Sequence, residues 1–262
     1  MTNFAEAIRT EFLKARRSRM PLFTALGFSL APIMGGFFMI ILKDPQFARN
    51  IGLLRTKAEL VSGTADWPSY FSLLSQATAV GGILVFALIA SWVFGREFAD
   101  RTAKDLLALP TPRSSIIAAK FILVGVWCGF LAVLIYILGL VIGMIVVLPQ
   151  WSQPVMVHGS VTLAITALLT IFLVSPVAFV ASAGRGYLPP MGFAILILVL
   201  AQVLGAAGWG PLFPWSVPAL YAGLGNNAAT TLDAASYSIV ALTSFAGLIA
   251  TFFWWQYADQ SQ

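Results

Sequence analysis

Eight charged side chains, Arg96, Glu97, Asp100, Arg101, Lys104, Asp105, Arg113 and Lys120, fall within residues 96–120, between two long stretches with almost no charge. A charged connection between two apolar segments must sit in water. Its signs alternate over a helix-length run that Pro110 and Pro112 then stop. Such a run offers recognition rather than catalysis: a short helix presented to a soluble partner.

The elements that carry this run are set by composition. The chain is 59% hydrophobic and 10% charged, with a mean hydropathy of +0.89. Soluble domains average about 25% charged residues, so this is an all-α membrane protein. Six runs, at about 22–42, 70–95, 114–148, 159–183, 189–209 and 236–257, are long enough to cross a bilayer as helices. The third exceeds one straight crossing and must tilt or project. The N-terminus lacks the form of a cleavable signal peptide.

Orientation follows from the basic residues. With six crossings both ends share a side, and eleven of the fifteen cations lie there: Arg9, Lys14, Arg16, Arg17, Arg19, Arg96, Arg101, Lys104, Arg113, Lys120 and Arg185. Lys43, Arg49, Arg55 and Lys57 lie opposite. Both termini are therefore expected in the cytoplasm, with the chain multi-pass in the cell membrane. The net charge of +5 reflects this topology and contact with anionic lipid, not nucleic acid.

Three connections have character of their own. In residues 1–20, Phe4, Ile8 and Phe12 fall on one helical face with Glu6, Arg9, Lys14, Arg16 and Arg17 over much of the remainder, which predicts a helix in the headgroup layer. Pro21 then turns the chain into the bilayer. Between the first two spans, Phe47, Ile51, Leu54, Ala58 and Val61 keep helical spacing in an outer loop. Residues 210–235 are apolar and aromatic, but Pro211, Pro214 and Pro218 forbid a normal span, so an outer re-entrant hairpin is expected. The short turn 182–190 should make the fourth and fifth spans antiparallel neighbours, and Ser175-Pro176 should kink the fourth. The whole of 1–262 reads as a single transmembrane domain.

Missing residue types exclude function classes. Carriers coupled to ions need ionisable groups buried in their spans. None of the six runs holds Asp, Glu or His away from its ends, and Lys120 lies close enough to one end to snorkel. No G-x-x-x-x-G-K-[ST] loop exists, and the pairs Gly35–Gly36 and Gly81–Gly82 lie within apolar spans. His158 has no partner at metal-ligand spacing, Cys128 is alone, and no protease motif is present, so no metal site and no catalytic residues are expected. Small residues at Gly125-x-x-x-Gly129 and Gly139-x-x-x-Gly143 allow close helix contact, inside the chain or across a dimer. Ser75, Gln76 and Thr78 in the second span and Gln202 in the fifth are the candidates to line a transport path. Such a path suits an amphipathic substrate better than a small ion.

Glu97, then Arg101-Thr102-x-Lys104-x-Leu106-Leu107-x-x-Pro110-x-x-Arg113, then Lys120, resembles the loop after the second span in ATP-binding-cassette exporter permeases. The group meant has the type V fold and includes drug, bacteriocin-immunity and polysaccharide exporters. Arg101 departs mildly, since glycine is common before the threonine. The resemblance implies that residues 96–113 form a coupling helix docked in a separate ABC ATPase, with Arg96, Glu97, Asp100, Arg101, Lys104 and Arg113 at or near the interface and Leu106 and Leu107 as apolar anchors. It implies that ATP and Mg are bound by that partner, that this chain is not itself an enzyme, and that a second permease copy or paralogue completes a dimer. Amphipathic peptides, antibiotics or other lipid-partitioned compounds are the expected cargo. A non-transporting membrane scaffold or sensor, and an intramembrane enzyme, are the alternatives; the first would recruit a regulator through this loop, the second would need catalytic residues converging at one depth.

Overall fold

The computed structural model describes residues 2–44, 64–100, 102, 112–224 and 232–257. Regular structure among the described residues is entirely helical. α1 (Thr2–Arg17) precedes α2 (Met20–Lys43), α3 (Trp67–Ala99) and α4 (Arg113–Ile145). α5 (Gln153–Phe172) and α6 (Ser175–Ala183) are two pieces of the fourth span, followed by α7 (Leu188–Ala206), the short α8 (Val217–Tyr221) and α9 (Ala234–Tyr257). Six of these are long and apolar enough to cross a membrane, counting α5 and α6 as one. The outer-loop stripe from Phe47 to Val61 lies outside the described residues.

α3 is the hub, packed against α2, α4, α5, α6 and α7. Its buried positions, among them Phe71, Leu74, Thr78, Gly82, Phe86, Ala90 and Phe94, recur every three or four residues along its whole length. Small side chains among them let neighbours approach, and their hydroxyls are satisfied locally: Thr78 donates to the Leu74 carbonyl at 2.8 Å and Ser91 to Ala87 at 2.6 Å. Asp66 caps the first turn, accepting from the Ser69 N–H at 2.9 Å and from the Thr64 hydroxyl. Burial alone would raise the Asp66 carboxyl, but those two donors outweigh it and hold the group below its ordinary pKa.

Both glycine pairs are packing points. Gly35 sits under Tyr70 and Leu73, Gly36 against Ile142, and Gly82 against Thr170. Tyr70 donates to the carbonyl of Pro32, a proline inside α2, at 3.0 Å. The two small-residue motifs of α4 part company. A Cβ at Gly139 would lie 2.5 Å from Leu74, and one at Gly143 would strike the Trp67 ring. Gly125 and Gly129 have nothing within 4 Å. Gly143→Ala should therefore cost about 1–3 kcal/mol, because the Trp67 ring must shift, while Gly125→Ala should stay within about 0.5 kcal/mol. Thermal unfolding of the two variants in detergent checks this; equal losses would place both motifs in packed interfaces.

The fourth span breaks at Leu173 and Val174, immediately before Pro176. Ser175 donates across to the Ser244 carbonyl at 2.6 Å, and Gly247 meets the Pro176 backbone. The proline cannot continue the helical ladder, and a glycine opposite gives α9 room to close on the gap. α7 touches α6 near their connecting turn, where Gly184 meets Pro189, and packs along α3 as well. Residues 210–221, two 3₁₀ turns and α8, fold back along α7. Ser216 donates to the Ala201 carbonyl at 2.9 Å and the Trp215 ring meets Phe193 edge-on at 5.8 Å.

Candidate functional site

α3 and α4 end beside one another at the end of the bundle that carries most cations, and the charged loop joins them. Residues 101 and 103–111, including Arg101, Lys104, Leu106 and Leu107, lie outside the described residues. The two stems of the loop are described, and they are knitted into the bundle.

Lys120, in the third turn of α4, does not snorkel. It is fully buried, 2.7 Å from Glu97 and 3.2 Å from Glu11, and its third proton goes to the Val93 carbonyl at 2.9 Å. An ammonium has three donors, and all three are used. Lys14 closes the figure, 2.7 Å from Glu11 and 3.1 Å from Glu97. Two acids and two bases thus alternate in a neutral ring contributed by α1, α3 and α4. Glu11 and Glu97 are 5% and 4% exposed, so water screens them little. Burial disfavours the Lys14 charge, yet Glu11 and Glu97 outweigh that and raise its pKa above the ordinary value. Its contribution is therefore fully present below the ordinary lysine pKa and is lost only as pH rises through the raised one.

Why these residues meet is a matter of lipid exclusion. A lysine inside an apolar span demands a counter-charge, and α1 lies along α4 to supply one. The buried positions of α1 are Glu11 and Ala15; Phe4 is exposed and Phe12 half-buried. The inward face is thus rotated from the Phe4–Ile8–Phe12 stripe expected from spacing. Glu11 was not among the candidate site residues. The signal available was Lys120 itself, with few acids at that end to meet it.

Of the remaining stem residues, Arg96 holds its guanidinium 5.0 Å over the Trp92 ring and pairs with Asp100 at 3.4 Å. Thr102 donates its N–H to the Glu97 carbonyl at 2.9 Å. Arg113 points to the last span, donating to the carbonyls of Trp255 at 3.1 Å and Gln256 at 3.3 Å, where a cation suits the helix C-terminus. Trp255 in turn donates to Ser182 at 2.9 Å and meets Phe98 edge-on at 5.7 Å. Four spans and α1 are therefore tied together beneath the loop. Glu97 is the candidate the structure turns inward; Arg96, Asp100 and Arg113 remain at the surface or near it.

The candidate path residues are not gathered in one place. Ser75 and Thr78 lie on the packed side of α3, both fully buried. Gln76 reaches the other way, donating to Ser72 at 3.0 Å and to the Ala222 carbonyl at 3.5 Å. Gln202 is exposed and lines a cavity of about 180 Å³ with Val80, Ser216 and Leu220. His158 borders a separate cleft of about 590 Å³, with Phe71, Thr162 and Tyr221, at the opposite end. Among the described residues no group of three His, Cys, Asp or Glu is placed to hold a metal ion.

The family described as ABC-2 family transporter protein matches residues 7–201. The bacitracin transport permease protein BCRB of Bacillus licheniformis is 32% identical over 178 residues, covering 68% of this chain and 85% of that protein. The family match takes in most of α1, both stems of the charged loop and all four residues of the salt-bridged ring.

Proposed function

Because the chain belongs to the ABC-2 transporter family, as an ABC transporter permease subunit, we propose that it couples ATP hydrolysis on a separate cytoplasmic ATPase to export through the loop of residues 96–113. The observation that carries this reading is the bracing of both loop stems. Glu97 on one side and Lys120 on the other share one buried ring with α1, and Arg113 binds the end of the last span. A push on the loop is then delivered to several helices at once rather than absorbed in slack.

Leu106 and Leu107 serve as desolvated anchors in the ATPase groove, with Arg101 and Lys104 on the charged rim. ATP and Mg reside on the partner. The functional unit is a dimer of permeases, alike or paralogous, on two ATPases, in the plasma membrane with both termini cytoplasmic. Residues 210–221 belong to an outer re-entrant element; of the run expected to reach 235, residues 225–231 lie outside the described residues. The cargo is an amphipathic peptide antibiotic or similar lipid-partitioned compound, a choice supported by the bacitracin transport relative and by a weakly polar interior.

Leu106→Asp is the decisive variant. Losing a buried anchor should weaken ATPase docking by about 30-fold and abolish stimulated ATP hydrolysis in co-reconstituted vesicles, while the spans still insert. Undiminished stimulation would remove the docking role of the loop. Charge reversal at Glu97 is the wrong probe, since it would break the buried ring and the fold with it.

A further inference from the structure

Beside the ring, α1 and α3 leave a groove of about 610 Å³ whose walls include Leu13, Lys14, Arg17, Trp92, Arg96 and Tyr187. The ring is neutral within itself, and Asp100 also lines the groove, so its net surplus of about one positive charge comes from Arg17 and Arg96 set against that one acid. Arg17 makes no ion pair among the described residues. Arg96 is offset by Asp100 only through one 3.4 Å contact between half-exposed groups, which water screens. Its guanidinium carbon sits 5.0 Å from the centre of the Trp92 ring, which holds the donor fork against the aromatic wall of the groove.

The walls differ in character along their length. Leu13 is 41% exposed at one margin, and Tyr187 hands over to Leu188, 85% exposed, at the other. A cationic mouth with Trp and Tyr beside it, running out onto bare leucines at the end of the spans, matches a phospholipid in cross-section. The phosphate meets the guanidinium groups and the acyl chains follow the leucines. An acidic segment of a soluble protein could use the charges but has no use for leucines that continue onto lipid-facing helices.

We propose that this groove binds the phosphate headgroup of an anionic phospholipid from the leaflet at the basic end of the bundle. The site rests on the membrane assignment and is independent of coupling to an ATPase. A bound lipid would fasten α1 to the stem of the loop from outside, as the ring does from within.

The test uses the full chain purified alone and reconstituted into phosphatidylcholine nanodiscs holding a minor fraction of phosphatidylglycerol. Lipid retained on extraction is read by native mass spectrometry. Arg17→Gln with Arg96→Gln should weaken phosphatidylglycerol retention about 25-fold, at roughly fivefold per lost cation. Arg17→Gln alone, at an exposed helix end where folding is not at stake, should give about fivefold. Arg9→Gln with Arg16→Gln, exposed cations of α1 that do not line the groove, should change nothing. Unchanged retention in the groove variants, or equal loss in the control pair, overturns the proposal. Complete displacement of the lipid by millimolar inorganic phosphate also overturns it, assigning the site to free phosphate. A permease that fails to stimulate any ATPase would still be expected to pass this test.

Discussion

Lys120→Met is expected to destabilise the folded protein by about 3–5 kcal/mol, because it strands two buried carboxylates with one ammonium between them. Glu97 already has one carboxylate oxygen without a hydrogen-bond partner. Without Lys120 its other oxygen keeps only the 3.1 Å contact to Lys14, and Glu11 loses its second partner. Adding Glu97→Gln to Lys120→Met should restore much of the loss, since removing a whole buried pair costs far less than removing half of it. Thermal unfolding in detergent of the single and double variants measures this directly. A single variant as stable as the parent, or a double variant worse than the single, would mean the ring does not hold the helices together. Stimulated ATP hydrolysis by the rescued double variant then asks whether the charges matter beyond folding.

Gly247→Ala should be nearly as damaging, for a steric reason. An added Cβ would strike the Pro176 nitrogen and lie 2.7 Å from both the Pro176 Cα and the Ser175 carbonyl carbon. These are backbone atoms, so no rotamer change can make room. The last span would have to withdraw, breaking the 2.6 Å bond from Ser175 to Ser244. A loss of about 3 kcal/mol or more follows from overpacking plus the stranded hydroxyl. Ser175→Ala, which removes the bond but adds no bulk, should cost only about 1 kcal/mol. If the two variants melt together, the close approach of α9 at the break is not what the glycine provides.

The six spans were legible because lipid imposes one rule on every segment that crosses it. The expected run 22–42 becomes Met20–Lys43, and 236–257 becomes Ala234–Tyr257, because hydropathy and helix length report the same constraint. The kink before Pro176 was legible too, since the missing N–H is a local fact. The ring was not. Glu11, Lys14, Glu97 and Lys120 are scattered over 110 residues, and their meeting depends on how α1 lies against α4. Placing Lys120 near a span end invited snorkelling to water; α1 covers that exit, so the charge is satisfied inward instead. The same limit applied to the glycines of α4. Spacing showed that four could admit a neighbour, and only packing shows that Gly139 and Gly143 do so within this chain.

The interruption at Leu173 and Val174 carries a mechanical implication. α5 leans chiefly on α3, whereas α9 grips α6 and scarcely touches α5. The fourth crossing is thus two levers on a shared fulcrum rather than one rod. A displacement of the last crossing would reach the α6 lever first, with α5 held chiefly by its seat against the hub.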